Sequence, residues 1–111
     1  FDSVEHQERR PGVVLSSLVD GDAGATQISS GVAEFAIGAS APMHYHDAEE
    51  SVIVVEGEGL MVIDGQEHIV HPNDAAFISP GAHHSIANHG NQPFKVSWTY
   101  ASINWSTTPV E

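Results

Sequence analysis

The chain has no cysteine. Disulfides, thiolate nucleophiles and cysteine-type zinc sites are therefore excluded. Basic residues are nearly absent too. Lys95 is the only lysine, Arg9 and Arg10 are the only arginines, and 15 acidic residues bring the formal net charge to −12. Such a surface repels nucleic-acid phosphates and anionic membranes. Three cations cannot form a basic binding patch, and the excess acidity reads first as solubility. No apolar run approaches the roughly 18 residues that a membrane helix needs. The N-terminus has no basic segment leading into an apolar one, so no signal peptide is expected and the cytoplasm is the default compartment. No stretch carries a convincing 3.6-residue apolar period. There is no evident Ser-His-Asp arrangement, and Gly57-Glu58-Gly59 is a turn rather than a phosphate cradle.

What remains is short, β-rich and punctuated. At 111 residues with 41% hydrophobic content, one globular domain with a modest core is expected. Residues 1–12 read as an arm or edge strand, 13–101 as the folded domain and 102–111 as a polar, partly ordered tail. Strands are expected at Val13 to Val19, within Gln27 to Ile37, at Glu50 to Val55, Leu60 to Ile63, Gln66 to Val70, Ala75 to Ile78, Ala82 to Ala87 and Phe94 to Ala101. Gly38 to Pro42 reads as a loop. Asp64-Gly65 is a type I′ hairpin signal, because both positions need positive φ. Glu50 to Val55 is nearly continuous in β-branched residues, which suggests a strand covered on both faces. Phe94, Val96, Trp98 and Tyr100 alternate and share one face. Eight to ten short strands at turn spacings of about 8–12 residues indicate an all-β sandwich or barrel, most economically a jelly-roll barrel.

The chemistry-bearing stretch is Gly38 to Gly57. His44 and His46 stand at i and i+2, so on a strand their imidazoles share a face. Glu50 follows four residues on. Borderline divalent metals accept this combination of ligands.

This stretch resembles the first signature of the cupins, G-x5-H-x-H-x3-E-x6-G, with Gly38, His44, His46, Glu50 and Gly57 at every fixed position. The second cupin signature, G-x5-P-x-G-x2-H-x3-N, is matched in part by Gly81, His84 and Asn88. Asn73 and Ser79 replace its glycine and proline. Asn is the residue that best tolerates a left-handed turn after glycine, and Pro80-Gly81 keeps the break. The resemblance implies a cupin jelly-roll β-barrel with little or no helix. It implies one divalent transition metal per chain (Fe, Mn, Ni, Co or Zn) on His44, His46, Glu50 and His84. It also implies a homodimer, to which an N-terminal arm is suited.

Three neutral imidazoles and one carboxylate leave about +1 on a divalent centre, with two positions open in six-coordinate geometry. A small molecule with two adjacent oxygens can chelate there, for a dioxygenase or for a redox-neutral isomerase, cyclase or lyase. The alternative is a non-enzymatic binding module. The missing basic residues argue against phosphosugars and for a neutral or weakly acidic substrate. Glu50 is preferred to Glu49, whose spacing is one residue short. His83 should face away from His84, and His6, His68, His71 and His89 read as surface. Tyr45 is expected in the core behind its strand, Val52 and Val54 inward, and Trp98 and Tyr100 in the core or an interface rather than in a pocket wall.

Overall fold

The structure, a computed structural model, describes residues 6–103 and 107–110, with side chains from Pro11 onward. Eleven strands are present among these residues: β1 (His6–Arg10), β2 (Val13–Val19), β3 (Ser29–Phe35), β4 (Ser40–His46), β5 (Glu50–Glu56), β6 (Gly59–Ile63), β7 (Gln66–Val70), β8 (Ala75–Ile78), β9 (His84–Asn88), β10 (Phe94–Tyr100) and β11 (Thr107–Pro109). A short 3-10 turn at Gly21–Ala23 is capped by the Asp20 side chain. The strands make a six-stranded sheet in the order β1-β2-β3-β10-β5-β8 and a five-stranded sheet in the order β11-β4-β9-β6-β7. Every pairing is antiparallel. This is the all-β, two-sheet jelly roll expected from the spacing of turns.

Alternation explains which side chains the sheets enclose. On β10, Phe94, Val96, Trp98 and Tyr100 are buried while Lys95, Ser97 and Thr99 are half-buried on the other face. Each large apolar side chain so enclosed contributes about 1.5–3 kcal/mol. On β5, Val52 and Val54 point inward as expected, but Ile53 and Val55 are 46% and 51% exposed. The β-branched run was expected to be covered twice; only its inner face is. Val and Ile also suit the backbone of a strand with one open face.

Turn chemistry follows the sequence closely. Asp64 and Gly65 both adopt positive φ, 47° and 84°, and join Ile63 to Gln66 as a two-residue hairpin. Asn73, at the position where the signature has glycine, sits at φ 76°. Gly57 combines φ 82° with a close approach, since a Cβ there would collide with the Pro93 carbonyl. Gly31 lies opposite Trp98 in the β3–β10 ladder. An added Cβ would collide with the Ser16 carbonyl of β2 and stand 2.6 Å from the indole, so the bare backbone admits both the neighbouring strand and the ring.

Gln27 to Ile37 holds one strand, beginning at Ser29, within the expected range. Two expectations need correction. The Gly38 to Pro42 loop is shorter than anticipated, because β4 begins at Ser40 and pairs with β9. The strand count exceeds ten because β1 and β11 form from the arm and the tail by pairing with β2 and β4. Residues 1–5, 104–106 and 111 of those segments, and the side chain of His6, lie outside the described residues.

Candidate metal centre

The two sheets bring five polar side chains to one end of the interior. His44, His46 and His84 come from β4 and β9 of the five-stranded sheet; Glu50 and Tyr100 come from β5 and β10 of the six-stranded sheet. Within each sheet the pairs are direct neighbours. His44 lies opposite His84, and Glu50 opposite Tyr100.

A bulge in β4 makes this possible. Ala41 pairs with Ile86 and His44 with His84. Three steps along β4 therefore oppose two along β9. The extra residue, at Pro42–Met43, resets the alternation, so Ala41, His44 and His46 all line the interior. Bulges re-aim side chains in this way, and they accommodate a proline that cannot donate to the ladder. The proline carbonyl is used as well, accepting from His44 Nδ1 at 2.7 Å.

Each imidazole is fixed through Nδ1. His84 Nδ1 donates to the Ala82 carbonyl at 2.9 Å. His46 Nδ1 lies 3.2 Å from Thr107 Oγ1, on β11. A carbonyl can only accept, so His44 and His84 carry their proton on Nδ1 and present a bare Nε2 inward. The ring centroids are 4.2 Å apart for His44–His84, 4.8 Å for His44–His46 and 5.0 Å for His46–His84. One ligand nitrogen from each ring falls within 4.8 Å of the others. An ion bound at about 2.1 Å to each holds two nitrogens at most about 4.2 Å apart, so sub-ångström shifts close the set.

Glu50 is buried, and its Oε1 lies 3.6 Å from His46 Nε2 and 3.5 Å from His84 Nε2. These are electrostatic contacts, too long for aligned hydrogen bonds. Oε1 has no hydrogen-bond partner among the described residues. A buried carboxylate oxygen without a donor is costly, and a cation among the three nitrogens would supply what it lacks. The donor chemistry thus fits a divalent metal. Glu49 is exposed and takes no part.

The electrostatics divide the histidines. Burial lowers His44 to about 4, with the Pro42 carbonyl opposing and the neighbouring imidazoles assisting. For His84 burial also disfavours charge, but the Glu50 carboxylate and the Ala82 carbonyl outweigh it, and the pKa is raised above 6.5. Burial, followed by the charge of Glu50, pushes the Tyr100 phenol well above its ordinary range.

Residues 31–100 match the family described as Cupin domain. The chain is a cupin. Among curated proteins it is 32% identical over 95 residues to the tetracenomycin polyketide synthase protein TcmJ of Streptomyces glaucescens; the match covers 85% of this chain and 64% of the relative. The cupin described here thus spans less than two thirds of that relative's length. Among solved structures, the polyketide cyclase RemF from Streptomyces resistomycificus superposes with a TM-score of 0.85 at 24% identity, covering 99% of this chain and 82% of that one. Oxalate decarboxylase from Lactobacillus farciminis superposes with a TM-score of 0.88 at 19% identity, covering 98% of this chain and 34% of that one. These two share the fold.

The polar cluster in this cupin closes one end of a cavity of about 240 Å³. The walls are apolar, with Leu15, Phe35, Val52, Met61, Ile86 and Trp98 among them, and no lysine or arginine lines it among the described residues. Small-molecule sites typically run about 300–1,000 Å³, so the cavity suits a small occupant.

Trp98 and Tyr100 lie in the buried core, to which the sequence pointed, and they wall this cavity as well. Their inward parity was legible, but not the register that puts Tyr100 beside Glu50. Tyr45 is half-buried and stacks on His83 at 5.3 Å rather than entering the core. His83 faces outward as expected, and His68, His71 and His89 are exposed. His71 pairs at the surface with Glu58 at 2.9 Å. Thr107 and the Pro42 carbonyl went unanticipated. A proline one residue before Met43-His44 in a strand was the available sign of a bulge.

Proposed function

We propose that this cupin is a metal-dependent enzyme acting on a small, neutral or weakly acidic oxygenated molecule. One divalent transition metal (Fe, Mn, Ni, Co or Zn) would be held by His44, His46, His84 and Glu50. The observation that supports this most is the buried Glu50 Oε1, without a hydrogen-bond partner and facing inward imidazole nitrogens at 3.5 and 3.6 Å. When bound, the metal supplies Lewis-acid polarisation of a carbonyl or enol oxygen. The protein's own contribution is the setting. The Nδ1 partners hold the rings, the apolar walls take the carbon skeleton and exclude water, and the lack of cations disfavours phosphorylated substrates.

A redox-neutral reaction, with cyclisation as the leading candidate, is the preferred branch. TcmJ is a polyketide synthase protein, and a carbonyl-rich chain offers adjacent oxygens for chelation. The same reading includes a homodimer. Ile53, Val55 and Phe77, exposed on the neighbouring strands β5 and β8, are suited to cover by a second copy, and light scattering on the purified protein tests it.

The primary experiment is elemental analysis of the natively expressed protein, then turnover of β-diketone and polyketone substrates with oxygen uptake monitored. His46→Ala should lose the metal and keep the fold. Uptake of none of the five metals sinks the reading. Substrate-dependent oxygen consumption moves it to a dioxygenase, and tight binding without product moves it to a binding module.

A further inference from the structure

We propose that Tyr100 is a second anchor for the substrate: its phenolic O–H donates to the substrate oxygen brought beside His46. The proposal rests on the metal-centre reading above.

Tyr100 ends β10 directly opposite Glu50 and is 6% exposed. Its ring is clasped from two directions, edge-on to His46 at 4.9 Å and tilted against Trp98 at 5.2 Å. The hydroxyl is thereby held at the polar end of the cavity, 3.2 Å from His46 Nε2. A His46 ring ready to give Nε2 to a metal carries its proton on Nδ1, facing Thr107; in that tautomer Nε2 is the acceptor and the phenol the donor. The lone pair that Tyr100 meets is the one a metal would take. Once Nε2 is committed, the O–H has two acceptors at hand, the Glu50 carboxylate that it already meets across the β5–β10 ladder and an oxygen seated beside the ring. The hydroxyl lies within 3.2 Å of a ring nitrogen that faces the cavity, so an oxygen seated beside that nitrogen comes within its reach. A phenol is protonated at neutral pH, so the donor requires no special ionisation. A hydrogen bond there would grow stronger as negative charge develops on a polarised carbonyl oxygen, which is where such a donor has most effect.

The test uses the Co(II)-loaded protein and acetohydroxamate, a colourless ligand with two adjacent oxygens, followed through the Co(II) visible bands. Tyr100→Phe keeps the ring and removes the hydroxyl. The expected result is unchanged Co(II) stoichiometry and an affinity for acetohydroxamate lower by roughly 10- to 100-fold, the range for a hydrogen bond to a charged group. Affinity within about twofold of wild type overturns the proposal. Loss of Co(II) from the variant also overturns it, because Tyr100 would then be holding His46 or Glu50 in place. A phenolate charge-transfer band on Fe(III) loading that vanishes in the variant overturns it by making Tyr100 a ligand. Should the Phe variant not fold, Tyr100→Leu repeats the comparison. Failure of the wild type to take up Co(II) sinks the metal reading itself, and is seen before acetohydroxamate is added.

Discussion

Replacing Glu50 with glutamine should raise the stability of the metal-free protein while weakening its hold on metal. In the metal-free state Glu50 Oε1 is buried without a hydrogen-bond partner, and such a group costs about 1–3 kcal/mol, more when charged. Glutamine keeps the shape, removes the charge and brings N–H donors to within reach of the bare Nε2 atoms, now 3.5 and 3.6 Å from the carboxylate oxygen. A gain of about 1–3 kcal/mol follows, or roughly 3–6 °C of melting temperature per kcal/mol at this chain length. The gain depends on pH. His84 has its pKa raised on folding, with Glu50 the leading favourable cause. That contribution is fully present below 6.5 and is lost as pH rises through the folded value. The variant forfeits it, so the gain should be larger on the alkaline side. The assay is thermal melting of chelator-treated Glu50→Gln and wild type at several pH values, repeated with metal. Metal affinity should fall at least tenfold, since even partners that only orient a ligand account for about 10–100-fold. A metal-free variant less stable than wild type on the alkaline side, or one that takes metal equally well, would refute the reasoning.

Deleting Met43 removes the extra residue of the β4 bulge, so that two steps along β4 oppose two along β9 and His44 and His46 stay inward, but Pro42 becomes the immediate neighbour of His44 and its carbonyl no longer meets Nδ1; metal affinity should fall by roughly tenfold or more while the far-ultraviolet circular dichroism stays β. Gly31→Ala sets a methyl group against the Ser16 carbonyl of β2 as well as the Trp98 indole, so the β2–β3 ladder must shift along with the ring, and it should cost about 3 kcal/mol or more, read by urea unfolding together with a shift in tryptophan emission. Thr107→Val removes the hydroxyl facing His46 Nδ1, and metal affinity should drop roughly tenfold, measured by competition with a chromophoric chelator.

The strands inside continuous β-rich runs were legible, because alternation and turn residues are local signals. β10 shows this with four inward residues at alternate positions, as does the Asp64-Gly65 hairpin. The residues gathered at the centre were legible only through the spacing of two motifs, since His84 and Glu50 meet across the two sheets. What stayed hidden depended on register or on the missing neighbour. Tyr100 faces Glu50 only because of how β10 aligns with β5. β11 exists only because β4 offers it an edge. The half-covered state of β5 could not be read from Val and Ile, which suit a strand whether its outer face is open or closed.

The fixing of the imidazoles has a consequence for how the centre is held together. His44 and His84 each lean on a carbonyl two residues earlier in their own chain segment. Those anchors belong to the main chain, so no side-chain replacement at 42 or 82 deletes them. Once β4 and β9 zip together, two rings are set in the right tautomer without outside help. His46 instead meets a hydroxyl delivered by β11, which pairs with β4 along its outer edge. Two rings are thus oriented from within their own segments, while the third is steadied through a contact between strands. Loss of that one contact would leave the other two nitrogens poised.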